Sequence, residues 1–398
     1  MLLVERHVIK KYNPLFNELD DMSFLSKNLY NQALYRVKQC FFNTKTYLKY
    51  SIIVKQLAKE RQPDYTALPA KVSQCIVKQV DQNFKSFFGS LKSKNINHKV
   101  SIPHYLDKDG RNLLEFTNQA ISKKELKNGW LKLSSCKNKI KILHTNVNQV
   151  RVLHRGTHFV IEVVYEKEEK QHVDTGVYVG IDIGVNNLAT VGSNKLKPVI
   201  VNGKPLKSIN QYYNKELSKL RSRPDKCNNK LVNSKKIKTL TFKRNNKIND
   251  YLHKQSRVLV NHLVSNGVST VVIGHNKNWK QDINIGKANN QKFVQIPFCK
   301  FINMVKYKAQ LNGIDVIQRE ESYTSKCSFL DNEEICKHEQ YVGKRVKRGL
   351  FKSHDGRLIN ADLNGALNIL RKEIPNAFSG YGIEVCSTPV VLITKHLA

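Results

Sequence analysis

The sequence is short of acidic residues. Only 32 Asp and Glu stand against 67 Lys and Arg in 398 residues, which gives a formal net charge of +35. A basic excess of this size is typical of proteins that bind a polyanion, most often nucleic acid, with a membrane surface as the main competitor. Hydrophobic residues make up 40% of the chain and aromatic residues 9%, which excludes a wholly disordered protein. The length predicts about two or three domains.

Long apolar runs and paired cysteines are also missing. No run approaches the ~18 apolar residues that a membrane-spanning helix needs. The apolar start of the chain is interrupted at once by Glu5 and Arg6, unlike a signal peptide. The eight cysteines include no CxxC pair, which is typical of reduced and mostly buried thiols. We therefore expect no membrane partner and a cytoplasmic location, associated with the nucleoid in a bacterial-type host.

The first half of the chain combines helical and β patterns. Residues 2–10 predict a strand, and 15–92 predict helices, most clearly where an apolar stripe runs along 70–91. Short runs rich in β-branched and aromatic residues then predict several strands, the first at 100–102. This order is typical of a small β-barrel that is split by a helical insert. A polar run at 166–174 predicts a linker.

Strands and helices alternate in the second half, which predicts an α/β sheet domain. The predicted strands lie at 177–184, 188–191, 198–201, 270–273 and 314–318. The predicted helices lie at 205–266, with a break near Pro224, and at 298–311 and 363–370.

Acidic residues in the second half of the chain predict a catalytic site. Asp182 lies in an apolar strand, where a buried carboxylate is costly unless it meets a metal or a cation. Asp362 lies in the first turn of the last helix, and Glu320 and Glu321 directly follow a strand. Taken singly, Asp362 also fits an acid that the helix dipole favours. Together, carboxylates from separate elements predict a site for two Mg²⁺ ions ~4 Å apart, which activate a water and stabilise the leaving oxygen of a phosphodiester.

The motifs around these acids resemble those of the TnpB family, the OrfB-type insertion-sequence proteins related to type V CRISPR effectors and to Fanzor proteins. The motifs are Gly-Ile-Asp-Ile-Gly-Val-Asn-Asn at 180–187, Gly-His-Asn-Lys-Asn-Trp-Lys-Gln at 274–281, Tyr-Thr-Ser-Lys at 323–326 and Asn-Ala-Asp-Leu-Asn-Gly-Ala at 360–366. The resemblance covers residues 176–375 well and the first half more loosely.

The resemblance implies an RNA-guided DNA endonuclease with an α/β RNase H-like (RuvC) nuclease domain. Its partners would be a guide RNA and double-stranded target DNA. The implied domains are a wedge-type β-barrel at 1–14 and 95–170, a helical recognition lobe at 15–94, and a nuclease domain at 176–398 that includes a basic helical stretch at 205–266 and a zinc-finger-like or target-nucleic-acid-binding insert at 327–360.

The resemblance also assigns site residues. Asp182 and Asp362 match the family's first and third catalytic acids, whereas Gly274 stands where most relatives carry the middle one, a Glu. Some branches of the family have moved this Glu to just before the Thr-Ser motif, which assigns the role to Glu321, with Glu320 as the alternative. We expect Asp182, Glu321 and Asp362 to bind two Mg²⁺ ions. The residues expected to contact nucleic acid are Lys277, Lys280, Lys326, Lys344, Arg345, Lys347 and Arg348.

The insert at 327–360 departs from the two CxxC pairs that relatives usually carry. It offers only Cys327, Cys336, His338 and His354, whose spacings do not form paired zinc knuckles. We therefore expect an insert without zinc, whose basic residues contact phosphates.

Two other functions fit the sequence. The glycine at position 274 suggests the hypothesis of a nuclease-dead RNA-guided repressor, which applies if neither Glu320 nor Glu321 reaches the metal. The transposase label that is common for such sequences motivates an enzyme that joins DNA ends itself, without a guide RNA.

Overall fold

A computed structural model describes residues 1–379 and 388–392, except for 94–99, 223–233, 277–280, 282–283 and 285. The chain divides into two compact units, Met1–Lys167 and Glu168–Ala398. The helix break predicted near Pro224 lies outside the described residues. Among the described helices, none combines the length and the apolar character that crossing a membrane requires.

The first unit consists of antiparallel strands and helices. In chain order its elements are β1 (Leu2–Lys10), α1 (Leu15–Thr44), α2 (Tyr50–Lys59), α3 (Pro63–Ala67), α4 (Ala70–Lys92), β2 (Leu114–Thr117), a 3₁₀ helix (Asn118–Ala120), α5 (Lys123–Lys127), β3 (Trp130–Leu131), β4 (Ile140–Lys141), β5 (Val147–His154) and β6 (His158–Glu166). Four strands form an antiparallel sheet in the order β1-β6-β5-β2, and β3 pairs with β4. Within the described residues β1 and β2 are not paired with each other, so this sheet is open.

The apolar stripe predicted on α4 packs into the core of the first unit. Val72, Ile76, Val80 and Phe84 are at most 2% exposed, because their spacing of four places them on one face of the helix. Phe87 and Phe88 are partly buried against the same core, whereas Leu91, which the same pattern would bury, is 58% exposed. The last turn of α4 thus lies beyond the core.

The strand predicted at 100–102 is absent. Pro103 has no backbone N–H to donate to a neighbouring strand, and side chains of α1 hold the residues that follow it. The Asn31 amide exchanges two hydrogen bonds with the backbone of Leu106, at 3.0 and 2.8 Å, and Lys27 Nζ donates to the Lys108 carbonyl oxygen at 2.7 Å. The β-branched pattern at 100–102 is therefore followed by an irregular segment that α1 anchors.

The second unit contains a six-stranded mixed sheet. In chain order its elements are β7 (Tyr178–Asp182), β8 (Asn187–Ser193), β9 (Val199–Asn202), α6 (Lys204–Arg221), α7 (Lys235–Ser265), β10 (Thr270–Gly274), α8 (Lys287–Val294), α9 (Phe298–Gln310), β11 (Asp315–Arg319), β12 (Lys344–Lys347), β13 (Leu350–Lys352), β14 (Leu358–Asn360), α10 (Ala361–Glu373), a 3₁₀ helix (Pro375–Phe378) and β15 (Val390–Leu392).

The order of the strands identifies the fold class of this unit. The sheet runs β11-β10-β7-β8-β9-β15, with β8 antiparallel to its neighbours β7 and β9, and with β10 and β11 parallel to β7. A three-stranded meander followed by parallel strands on the other side of the first strand is the arrangement of RNase H-like nuclease folds. The predicted α/β class is therefore confirmed.

Helices cover both faces of this sheet. On one face, Val179 and Ile181 of β7 share a buried cluster with Leu259 of α7 and Phe301 of α9. On the other face α10 lies directly against the strands, because a Cβ at Gly180 would be 2.1 Å from the backbone of α10. The glycine at this position of the sequence motif therefore serves the close approach of helix and sheet.

Candidate nuclease site

The motif at 360–366 is the start of α10, and its asparagines share one side of the helix. Asn360 caps the helix, since its side-chain oxygen accepts hydrogen bonds from the backbone N–H groups of Asp362 and Leu363 at 3.0 and 3.1 Å. Asn364 and Asn368 follow at intervals of four and are fully buried. Asp362 therefore projects from a helix end whose position is fixed by its cap.

Asp182 is the last residue of β7 and faces the same helix. A Cβ at Gly365 would be 3.3 Å from Asp182 Oδ2, so the glycine of the α10 motif makes room for this carboxylate. Asp182 pairs across the sheet with Thr190 of β8, which is 1% exposed. The Thr190 hydroxyl has no hydrogen-bond partner among the described residues. An unsatisfied oxygen therefore lies opposite this acid.

Glu321 occupies the space above Gly274. A Cβ at position 274 would be 2.9 Å from Glu321 Oε2, and its other close neighbour would be Ile369 of α10, at 2.5 Å. The carboxylate of Glu321 therefore lies where a side chain at position 274 would begin. Position 274 is where the resemblance to the family leads us to expect a Glu in most relatives.

Asn276 holds Glu321 in this place. Its side-chain oxygen accepts from the Glu321 backbone N–H at 3.1 Å, and its amide nitrogen donates to Glu321 Oε1 at 3.2 Å. The register of β10 and β11 explains the meeting, because Gly274 pairs with Arg319 in parallel strands. The residues two positions beyond each strand then lie side by side. The sequence pattern alone does not assign a role to Asn276.

The turn that follows Glu321 is anchored to α10. Thr324 is buried, and its hydroxyl donates to the Glu321 carbonyl oxygen at 2.8 Å. The Asn368 amide donates to the carbonyl oxygens of Thr324 and Cys327 at 2.9 and 2.7 Å. Tyr323 lies between these anchors with a φ of 66°, a left-handed conformation that is rare for a bulky residue. The position of Glu321 is thus fixed from both sides of the turn.

The charges of Asp362 and Glu321 act on the buried Asp182. Burial raises the pKa of Asp182 well above its usual range, and the negative charges of Asp362 and Glu321 raise it further. Burial also raises the pKa of Glu321, as does the charge of the adjacent Glu320. Like charges collected on one side of a sheet are costly, and a cation would relieve that cost.

Asp362 has cationic and amide partners of its own. Asn187 Nδ2 donates to Asp362 Oδ2 at 2.8 Å, and the Arg345 guanidinium donates to Asp362 Oδ1 at 3.0 Å. Asn187 is the last residue of the motif that contains Asp182. This one motif therefore supplies the first acid and a hydrogen bond to Asp362. Arg345 comes from β12 in the insert, and its side chain is 50% exposed.

Glu320 lies apart from this group. Its side chain is 66% exposed, accepts a hydrogen bond from the Ser322 hydroxyl and lies 3.9 Å from Lys372 Nζ. The charge of Glu320 is not among the leading causes that raise the pKa of Asp182. The geometry therefore favours Glu321 over Glu320 as the companion of the two aspartates.

The three acids suit a divalent cation by their chemistry. Among the described residues, no three His, Cys, Asp or Glu side chains already form a metal-binding cluster. Carboxylate oxygens are nevertheless the ligands that Mg²⁺ prefers in proteins. Asp182, Glu321 and Asp362 supply them, and the Thr190 hydroxyl, which has no partner among the described residues, adds a neutral oxygen opposite Asp182. Such a donor set fits magnesium better than a soft metal.

The basic residues expected to contact nucleic acid fall into three groups. Lys277 and Lys280 lie outside the described residues. Lys326 is exposed, with its Nζ 5.6 Å from the ring centroid of Tyr341. The remaining four are exposed on β12 and the turn after it, namely Lys344, Arg345, Lys347 and Arg348.

The insert at 327–360 is organised around a carboxylate. Glu333 is buried and accepts hydrogen bonds from the backbone N–H groups of Ser328 and Val342 at 2.6 and 2.9 Å. The Cys336 sulfur lies 3.4 Å from His338 Nε2. The three strands β12, β13 and β14 form an antiparallel sheet that the sequence patterns did not predict.

Two family models match parts of the chain. Residues 158–280 match the probable transposase family OrfB_IS605, and residues 298–369 match the Cas12f1-like TNB domain. The first match covers the motif of Asp182, and the second covers Glu321, the insert and Asp362.

Two curated proteins are also similar to this chain. The TnpB-like protein ORF457 of Acidianus two-tailed virus is 24% identical over 422 residues, which cover 95% of this chain and 87% of that protein. The CRISPR-associated endodeoxyribonuclease Cas12f2 of Micrarchaeota archaeon (strain CG1_02_47_40) is 28% identical over 236 residues, 55% of this chain and 41% of that protein. The resemblance to the TnpB family is therefore confirmed.

Solved structures give more distant matches. A Cas12f1–sgRNA–target DNA complex matches with a TM-score of 0.40 and 16% identity, over 93% of this chain and 100% of that one. CasPhi-2 (Cas12j) bound to crRNA matches with a TM-score of 0.46 and 9% identity, over 96% of this chain and 99% of that one.

Proposed function

We propose that this chain is a transposon-associated, RNA-guided DNA endonuclease that hydrolyses DNA phosphodiesters with divalent metal ions held by Asp182, Glu321 and Asp362. The observation that carries the proposal is the Glu321 carboxylate above Gly274, on the sheet face that also presents Asp182 to α10. An acid supplied by the turn after β11 thereby replaces the one that is missing from β10. The basic excess of the chain suits a guide–target heteroduplex that is held through its backbone.

The chain's own residues would position the reacting groups. Bound Mg²⁺ ions would supply charge neutralisation and an activated water at the scissile phosphodiester. Asn276 and Thr324 keep the Glu321 carboxylate directed at the site, and Asn187 does the same for Asp362. Arg345 contacts Asp362 with a half-exposed guanidinium, so the same side chain is available to a phosphate oxygen of the substrate.

The two units would have different roles. The helices α1–α4 would form the recognition lobe at 15–94, and the strands around them, at 1–14 and 95–170, the wedge-type domain. The second unit would provide the nuclease domain at 176–398, with the insert at 327–360 contacting target nucleic acid without zinc. Guide RNA and double-stranded target DNA are the partners of this arrangement.

The test is to purify the protein with its native locus expressed beside it and to sequence the bound RNA. The complex is then incubated with a plasmid library of randomised flanks, with Mg²⁺ or with EDTA, beside an Asp182→Asn complex as the control. A discrete RNA in both complexes, with Mg²⁺-dependent cutting next to one flank motif only in the parent complex, would support the proposal.

The other outcomes identify the two rival functions. A discrete RNA with protected but uncut DNA identifies a guided repressor, which the glycine at 274 motivates. Strand-transfer products in reactions without any RNA identify a transposase that acts on DNA ends directly. Either outcome overturns the proposed nuclease.

A further inference from the structure

Among the described residues, Lys207 and three further cations whose charges act on it lack an acidic partner. Lys204 and Lys207 come from the first turn of α6, Lys292 from α8 and Arg348 from the turn after β12. We call these four residues the Lys207 cluster. In the described part of the chain no carboxylate forms an ion pair with any of them. Only Arg348 was expected from the sequence to contact nucleic acid.

Lys207 is the fixed member of the cluster. Its side chain is half-buried, and its Nζ donates to Asn186 Oδ1 at 2.7 Å. Burial lowers the pKa of Lys207, and the charges of Lys292, Arg348 and Lys204 lower it further. Like charges gathered this closely repel one another, and a bound anion would remove that repulsion.

The cluster is tied to the catalytic acids through one loop. Asn186, which holds Lys207, is followed by Asn187, which holds Asp362 at 2.8 Å. This loop packs against the start of α6, because the Gly203 N–H donates to the Asn186 carbonyl oxygen at 2.8 Å. A Cβ at Gly203 would be 2.5 Å from the backbone of the loop, so a larger residue there would push the loop away from α6. An anion bound at Lys207 would therefore have a fixed position relative to the Asp362 carboxylate.

We propose that the Lys207 cluster binds a backbone phosphate of the DNA strand that the nuclease site cuts, a short distance along the strand from the scissile bond. This inference rests on the proposed function and deepens it. DNA is favoured over the guide RNA as the occupant because the cluster shares its loop with an acid of the nuclease site. A strand gripped here would present one phosphodiester to the acids and hold it in register during cutting.

The test measures the salt dependence of DNA binding. Complexes with guide RNA carry Asp182→Asn, so that nothing is cut, and bind a short single-stranded DNA oligonucleotide. Lys207→Gln is compared with Lys215→Gln, which removes the same charge from a position further along α6. Each lost phosphate contact should lower the slope of log Kd against log salt by about 0.7 for a single strand. We expect that change for Lys207→Gln and none for Lys215→Gln.

A second measurement locates the phosphate. Single methylphosphonate substitutions remove one backbone charge at a time, and one position should weaken binding by the parent complex but not by Lys207→Gln. Unchanged slopes, equal slopes for both variants, or the absence of such a position would overturn the proposal. Loss of guide RNA from the Lys207→Gln complex would overturn it as well, by assigning the cluster to RNA. Because nothing is cut in this assay, its result stands apart from any failure of the proposed nuclease activity.

Discussion

Gly274→Ala perturbs the contact on which the assignment of Glu321 depends. The added Cβ would lie 2.5 Å from Ile369 Cδ1 and 2.9 Å from Glu321 Oε2, and both distances are too short to persist. Ile369 is 1% exposed and has little room to move, so we expect the free energy of unfolding to fall by about 1–3 kcal/mol. The Glu321 carboxylate must also move, and a displacement of about 1 Å can slow a reaction by about 100-fold. We therefore expect cutting to slow by about that factor.

Ile369→Val separates the two effects, since valine lacks the Cδ1 atom that clashes. Alone it should cost about 0.5–1.5 kcal/mol and leave the acids in place. In the double variant, the free energy of unfolding should recover most of the way to that of Ile369→Val. Cutting should stay slow, because the methyl group added at position 274 would still crowd Glu321.

The assay pairs denaturant unfolding with single-turnover cutting by the RNA complex at saturating Mg²⁺. The two readouts report on the two clashes separately. A double variant that cuts as fast as Ile369→Val would refute the reasoning, because it would mean that the observed position of Glu321 is not used in the reaction.

Three further predictions concern other parts of the second unit. Asn276→Ala removes a hydrogen bond to the Glu321 carboxylate, and a loss of about 1.5 kcal/mol at the transition state would slow cutting about tenfold. Burial lowers the pKa of Lys308 from 10.5 to about 8. The unfolded chain therefore binds an extra proton between those pH values, and the free energy of unfolding should rise by up to about 3 kcal/mol from pH 8 to 10.5. Glu333→Gln should destabilise the insert by about 1–3 kcal/mol, since two buried N–H groups lose a charged acceptor.

Each of these has a control. Asn276→Ala should leave the amount of bound guide RNA unchanged, and an unchanged cutting rate would contradict its positioning role. Lys308→Met should abolish the rise in stability with pH, and a rise that persists in that variant would assign it to other groups. For Glu333, EDTA should not change the unfolding of the wild-type insert, whereas destabilisation by EDTA would point to a metal in place of the carboxylate.

The α10 motif shows how far sequence patterns reach. The helix, its acid and its cap follow from local rules, since Asn360 precedes an apolar helical stripe and Asp362 falls in the first turn. Local rules do not predict the hydrogen-bond partners of Asn364 and Asn368, because these partners are carbonyl oxygens of a turn that is distant in the sequence. Local chemistry predicts the element, and tertiary packing decides what it touches.

Tertiary packing also explains why the sequence did not predict the roles of Asn276 and Lys207. Asn276 meets Glu321 because β10 and β11 pair in parallel with Gly274 beside Arg319, a register that composition does not specify. Lys207 reaches Asn186 because a glycine lets the loop approach α6. One signal was present in the sequence: polar residues directly after parallel strands meet at a common edge of the sheet.

The neighbouring glutamates allow the most direct test of the central claim, that an acid from the turn after β11 completes the nuclease site. Glu321→Gln and Glu320→Gln remove the same charge from adjacent residues, one directed at the site and the other exposed beside Lys372. Single-turnover cutting is measured for both complexes with equal guide RNA. The account predicts that Glu321→Gln abolishes cutting and that Glu320→Gln cuts at close to the parent rate. Full activity of Glu321→Gln, or loss confined to Glu320→Gln, would contradict it.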